Sequence, residues 1–463
     1  MKSLLAILTA VVFVGVLVLM PIKAEAVGAL TVCGLFSIPV AVLLLRSKVE
    51  RDFLLQVFVT ALLVRVIVGT VINYFQLQDF FGGDAIQYDY YGFALVKAWD
   101  GDQYYQTSVN TFFGEYGQSA WGMVYMVGAI YKIIGRNMLA IQFTNAVLGA
   151  ATAPAVFFIA HTLFQNRRVA RLAALLVAFF PSLVLWSSQG LKDGPIVLLL
   201  LLAILLTLRL GEKLSLRNAA ILCFVLATLI SFRFYLFYMM TTAVLGAFII
   251  GTREFTLSSF IRQLLVVIGI GLALTYMGVL QRARQQAGYF GDLRVAELSR
   301  QDQSRAQSGF GQDVDVSTPE GAIRAVPVGI VYLLFAPFPW EVRSLRQSIT
   351  LPEMLVWWAC FPLLVLGLWF TIRHKLRQAF VILVFTTMLT LGYSIFQGNV
   401  GTAYRQRAQL LVFYFIFIAV GYVLIREKRE EKKQQADAMR QQPEERPRDR
   451  RFPINTGSPA KAN

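Results

Sequence analysis

Ile196-Val-Leu-Leu-Leu-Leu-Leu-Ala-Ile-Leu-Leu-Thr-Leu208 runs thirteen residues without a charge and with a single hydroxyl. With its flanks, 195–210, it approaches the ~20 apolar residues that a helix needs to cross a bilayer core. Eleven similar runs fall at 4–20, 28–45, 53–75, 138–163, 172–186, 219–231, 235–250, 264–280, 354–372, 380–396 and 410–425. Two shorter ones, 120–134 and 326–340, are interrupted by glycine or proline. Composition agrees: of 463 residues 57% are hydrophobic and 15% charged, with a mean hydropathy of +0.59. Soluble domains carry about 25% charged residues. A soluble, fibrous, disordered or disulfide-scaffold protein is therefore excluded. The sequence predicts an all-α polytopic membrane protein of about twelve spans.

The charge is lopsided, with 43 Lys+Arg against 27 Asp+Glu. In a membrane protein, basic loops are retained on the cytoplasmic side, which accounts for the excess without invoking nucleic acid. Arg46 to Arg51, Arg167 to Arg171, Lys213 with Arg217, and Arg373 to Arg377 all fall inside if 120–134 and 326–340 do not cross. Those two stretches then read as juxtamembrane or re-entrant helices within outer loops 76–137 and 281–351. The first span also reads as a signal peptide, because Ala24-Glu25-Ala26 follows it. The chain divides into an N-terminal hairpin (1–52), a membrane domain (53–425) and a tail (426–463) whose Glu, Lys, Arg, Gln and Pro predict disorder.

Cys33, Cys223 and Cys360 lie in apolar runs, and His161 and His374 are isolated. Neither a disulfide nor a zinc site has the required spacing. A divalent cation, if one takes part, needs carboxylates.

Three outer segments carry candidate chemistry. Phe80-Phe-Gly-Gly-Asp84-Ala-Ile-Gln-Tyr88-Asp89 sets two acids among aromatic residues just beyond a span. A carboxylate beside apolar surface suits a general base; equally, Asp84 caps a helix. Leu191-Lys192-Asp193-Gly-Pro195 opens the span quoted first. An acid at a helix start complements the dipole, whereas Lys192 there needs an anion, such as a lipid phosphate. Gln397-Gly-Asn-Val-Gly-Thr-Ala-Tyr404-Arg405-Gln-Arg407 places two arginines outside, against the positive-inside bias. Arginine binds phosphate in a bidentate manner, although snorkelling explains such residues too. Arg233, between two spans at the same face, is a further phosphate candidate, and Arg65 in mid-span is expected to be paired or functional. Ser317-Thr-Pro-Glu320 has the spacing of a capping box.

The order of these features resembles the GT-C membrane glycosyltransferases. The likeness rests on the acidic first loop, on Gly122 to Asn137, on the basic turn Leu163 to Arg171, and on Phe180-Pro-Ser182…Trp186-Ser…Leu191-Lys-Asp193. It is greatest for the bacterial branch similar to protein O-mannosyltransferases and lipid A aminoarabinose transferases, over about residues 55–210. The resemblance implies a sugar donor on a polyprenyl phosphate and inverting transfer on the outer face. It gives Asp84 the role of base, makes Asp193 the second acid, and sets Lys192, Arg405 and Arg407 at the donor phosphate. Two departures stand out: Ala85 follows Asp84 where many relatives have a second acid, and Gly117-Gln-Ser-Ala-Trp121 replaces a His-Pro-Pro-like sequence. The Gly398–Arg407 turn resembles one in exopolysaccharide-assembly members, pointing to an envelope lipid or polysaccharide acceptor at a cell inner membrane. Two other readings stay open: a polymerase or O-antigen-ligase-like enzyme using lipid-diphosphate donors, and a lipid-linked-sugar flippase.

Overall fold

The computed structural model describes residues 2–116, 121–250, 257–276, 278, 292–306, 308–312 and 314–441. Among them the chain forms eighteen α-helices. The first half comprises α1 (Lys2–Leu19), α2 (Lys23–Leu45), α3 (Arg51–Tyr74), α4 (Gln78–Phe81), α5 (Asp84–Trp99), α6 (Gln103–Tyr116), α7 (Trp121–Ile134), α8 (Met138–Phe164), α9 (Arg167–Phe179) and α10 (Pro181–Ser187). The second comprises α11 (Asp193–Glu212), α12 (Leu216–Phe232), α13 (Phe234–Ile250), α14 (Leu257–Tyr276), α15 (Leu293–Ser304), α16 (Pro319–Phe335), α17 (Leu345–Phe396) and α18 (Val400–Gln441). Gly309 pairs with Asn399 in an isolated antiparallel bridge.

The fold is all-α and polytopic. By length and composition α2, α3, α8, α11, α17 and α18 can each cross a membrane, and the bent pair α9–α10 makes a seventh crossing if counted as one. Helices α1, α7, α12 and α13 are shorter and apolar. Every predicted span falls on one of these helices or on α14, whose predicted end at 280 lies outside the described residues. Two predicted spans share α17, which is interrupted at Lys375 by a single non-helical residue where the sequence suggests a loop. Helix α7 has 14 residues, about 21 Å at 1.5 Å per residue, short of the ~30 Å hydrocarbon core.

Helix α8 is the hub, packed against α2, α3, α9 and α11. Its Ala146, Gly149, Ala150 and Ala153 are buried or nearly so, and small residues let membrane helices approach closely. A Cβ on Gly149 would come within 2.3 Å of the Ser187 side chain. Helices α17 and α18 meet in the same way, since a Cβ on Gly367 would lie 1.8 Å from the Phe417 carbonyl.

Pro181 has no N–H to continue α9, so the chain bends by 55° there. Arg65, 1% exposed, answers the freed carbonyls by donating to Ala178 O at 2.8 Å and to Ser187 Oγ at 2.8 Å. The mid-span cation thus meets a helix end rather than a carboxylate. Thr318, not Ser317, is the N-cap of α16, accepting from Gly321 N at 3.2 Å, because Pro319 fits the first helical position.

Residues Met1–Gly421 form one compact unit and Tyr422–Asn463 another. In the second unit the helix continues to Gln441, where composition predicts disorder. Glu, Lys, Arg and Gln are strong helix formers, and Arg426 pairs with Glu430 one turn on at 2.8 Å. The remainder of the predicted tail, 442–463, lies outside the described residues, as do 117–120 and the 281–291 part of the large loop.

Candidate active site

Three helix beginnings supply the site. Asp84 is the first residue of α5, just after Gly82, whose φ of +118° turns the chain back. Asp193 is the first residue of α11, with Lys192 at the N-cap. The turn Gln397–Asn399 leads into α18, and Arg405 sits in its second turn.

Arg405 joins the two acids. Its Nη1 donates to Asp84 Oδ2 at 2.7 Å, and its Nε donates to Asp193 Oδ2 at 2.7 Å. Its Nη2 lies 2.6 Å from the same Asp193 oxygen. The other Asp193 oxygen accepts from Gln409 Nε2 at 3.3 Å and faces Arg233 Nη2 at 3.8 Å. Tyr393 donates to Gln409 Oε1 at 2.7 Å and accepts from Arg233 Nη1 at 3.5 Å. The Asp193 side chain is 2% exposed and that of Asp84 46%. One acid is therefore enclosed while the other reaches open space.

Lys192 Nζ lies 6.0 Å from the Tyr88 ring centre. Burial, reinforced by Arg233, pushes the Lys192 ammonium down to about 7, against the pull of Asp193. Burial and then the charge of Asp84 raise the Tyr88 phenol above its usual range. Arg405 lies over Trp186, Cζ to ring centre 5.8 Å, which orients the guanidinium.

Asp84 and Arg405 open onto a cavity of about 540 Å³. Phe80, Phe81, Leu345, Ile349, Trp186 and Pro337 give it apolar and aromatic walls, while Ser308, Asn399, Thr402, Gln347 and Thr350 add neutral polar groups. Arg346 is a second cation on its wall, Cζ 5.4 Å from the Phe80 ring. Small-molecule sites typically combine an apolar lining with a few convergent polar groups in 300–1,000 Å³.

Two of the residues expected at the site lie elsewhere. Asp89 lies five residues, about 500°, along α5 from Asp84, and so on another face. It accepts from Tyr131 Oη at 2.5 Å and from Arg136 Nη2 at 2.5 Å, binding α5 to α7. Arg407 is 1% exposed and donates to the carbonyls of Leu334 at 2.9 Å and Ala336 at 3.1 Å. It closes the end of α16 and presents no free edge to a phosphate. Conversely, Gln409, Tyr393 and Arg346 join the site or its walls unannounced, and Glu353 supports the cavity residue Tyr404 from behind. Gln409 was detectable, being one helical turn from Arg405 on the same face. Glu353 accepts from Ser182 N at 2.7 Å and from Tyr404 Oη at 2.9 Å. No local signal in the sequence points to it.

Among the described residues no group of three His, Cys, Asp or Glu side chains is placed to hold a metal ion. Asp84 and Asp193 converge on a guanidinium, a donor set that does not fit a divalent cation.

No curated protein matches the chain. Residues 119–277 match the model of the dolichyl-phosphate-mannose-protein mannosyltransferase family. That stretch runs from α7 through α14 and contains Lys192, Asp193 and Arg233, while Asp84 and Arg405 lie outside it. In this polytopic membrane protein, residues 119–277 carry the family likeness, and the match supports a membrane glycosyltransferase of GT-C type.

Proposed function

We propose that the protein transfers a sugar from a polyprenyl-phosphate donor to a hydroxyl of an envelope lipid or polysaccharide, at the outer face of a cell inner membrane. The observation that carries this reading is Arg405 bridging Asp84 and Asp193 at the wall of the 540 Å³ cavity. Asp84 takes the proton of the acceptor hydroxyl. The acceptor oxygen bonds to the anomeric carbon as the carbon–oxygen bond to phosphate breaks, inverting that centre. The electron pair leaves with the polyprenyl phosphate, and Asp84 later gives its proton to water. Arg405, Arg233 and Lys192 oppose the charge that develops on the leaving phosphate, an effect that is large where water is excluded. Asp193 holds Arg405 and Arg233 in place for that task.

Charge counting supports a phosphodiester donor. Lys192, Arg233 and Arg405 face Asp84 and Asp193, so the cluster carries one positive charge in excess when Lys192 is protonated. A sugar phosphodiester carries one negative charge. Arg346 on the same cavity wall favours a second reading, a lipid-diphosphate donor. Mass spectrometry of lipid copurifying with the full chain separates the two by mass. Asp84→Asn tests the base: loss of sugar transfer from a polyprenyl-phosphate donor in a folded variant is expected, and normal turnover would remove Asp84 from that role.

A further inference from the structure

Arg405 grips its two acids unequally. Asp193 is enclosed and meets both Nε and Nη2, with Gln409 and Arg233 on its other oxygen. Among the described residues Asp84 has one hydrogen-bonded partner, Arg405 Nη1; it is nearly half exposed and follows Gly82 and Gly83 at the cavity edge. The guanidinium has one side fixed on Asp193 and one side toward the cavity, and Asp84 occupies the cavity side. An arriving phosphate needs that same side to form a charge-assisted pair.

We infer that the Asp84–Arg405 ion pair is an autoinhibitory contact, which the donor phosphate breaks by taking the place of Asp84 on Arg405. This rests on the reading of Arg405 as a phosphate contact. Asp84 is then released as a base only when the donor is seated, so an empty site does not present an active base to the wrong hydroxyl. Release is undemanding. The freed carboxylate stays at the N-terminus of α5, where the helix dipole favours it, and Arg405 stays on Asp193 and over Trp186.

The test is a double-mutant cycle on the detergent-purified full chain, reading affinity for undecaprenyl phosphate. Asp84→Asn removes the competitor and should bind about tenfold more tightly than wild type. That gain should vanish in an Arg405→Gln background, because it acts through Arg405. Unchanged or weaker binding in Asp84→Asn overturns the proposal. So does a gain that persists in the double variant, since simple charge repulsion would give that result. Unchanged affinity in Arg405→Gln alone would instead refute the phosphate reading itself. If Arg405→Gln does not fold, Arg405→Lys keeps Asp193 paired, and its single ammonium should halve the gain or more; a full gain there overturns the proposal.

Discussion

Gln409 lies one helical turn beyond Arg405 and donates to the same carboxylate, Asp193, at 3.3 Å. Two side chains on one face of α18 therefore hold an acid from the start of α11. Gln409→Leu removes the hydrogen bond to buried Asp193 and the one accepted from Tyr393, each at a cost of about 1–3 kcal/mol. Gln409→Glu sets a second carboxylate against Asp193 and should destabilise more. Thermal unfolding of the three proteins in one detergent gives the order: wild type, then Gln409→Leu, then Gln409→Glu.

Asp89→Asn separates scaffold from chemistry. Its partners are Tyr131 and the half-exposed Arg136, so solvent screening limits the loss to about 1–2 kcal/mol. The variant should unfold at a lower temperature yet retain sugar transfer at permissive temperature. Loss of turnover in a folded Asp89→Asn protein would return this acid to the catalytic set.

The low Lys192 pKa gives a pH signature. At pH below about 7 the ammonium is charged and attracts phosphate; above it the amine is neutral. Affinity for undecaprenyl phosphate should fall as pH rises from about 6 to about 8.5, and Lys192→Met should flatten the decline. The lipid's own second ionisation, near ~6, acts in the opposite sense, so the fall is assignable to the protein. For stability the sign is also fixed. An unfolded lysine stays charged to ~10.4, so the unfolded chain binds the extra proton between about 7 and about 10. Lys192 therefore makes stability rise with pH across that window.

Gly367→Ala tests the α17–α18 contact. The added Cβ would lie 1.8 Å from the Phe417 carbonyl, which forces the two helices apart. Overpacking of this kind typically costs about 1–3 kcal/mol. A lower unfolding temperature is expected for this variant, whereas Gly34→Ala, with open space around its Cβ, should be nearly neutral.

The membrane architecture was legible because uninterrupted apolar length is a strong signal, as in 195–210. Finer breaks were not. Lys375 bends α17 through one residue, while a basic cluster in sequence reads as a full loop. At the site, Arg405 was recognisable as a cation against the positive-inside bias, and Asp84 and Asp193 as acids at helix starts beside aromatic or basic neighbours. That they meet at one guanidinium is a long-range fact of helix packing, invisible to spacing. Arg407 shows the converse. It stands two residues from Arg405, on another face of α18, and that rotation buries it against α16.

The three charges that meet here lie far apart in the chain, Asp84 and Asp193 at the first residues of α5 and α11 and Arg405 in the second turn of α18. During synthesis both acids leave the ribosome well before their arginine. Until α18 is in place, Asp193 has no Arg405 to hold it, and the cavity lacks the 399–405 wall. Assembly of α18 therefore completes both the charge cluster and the cavity wall. A chain truncated before α18 should leave Asp84 without its arginine and Asp193 with Arg233 alone.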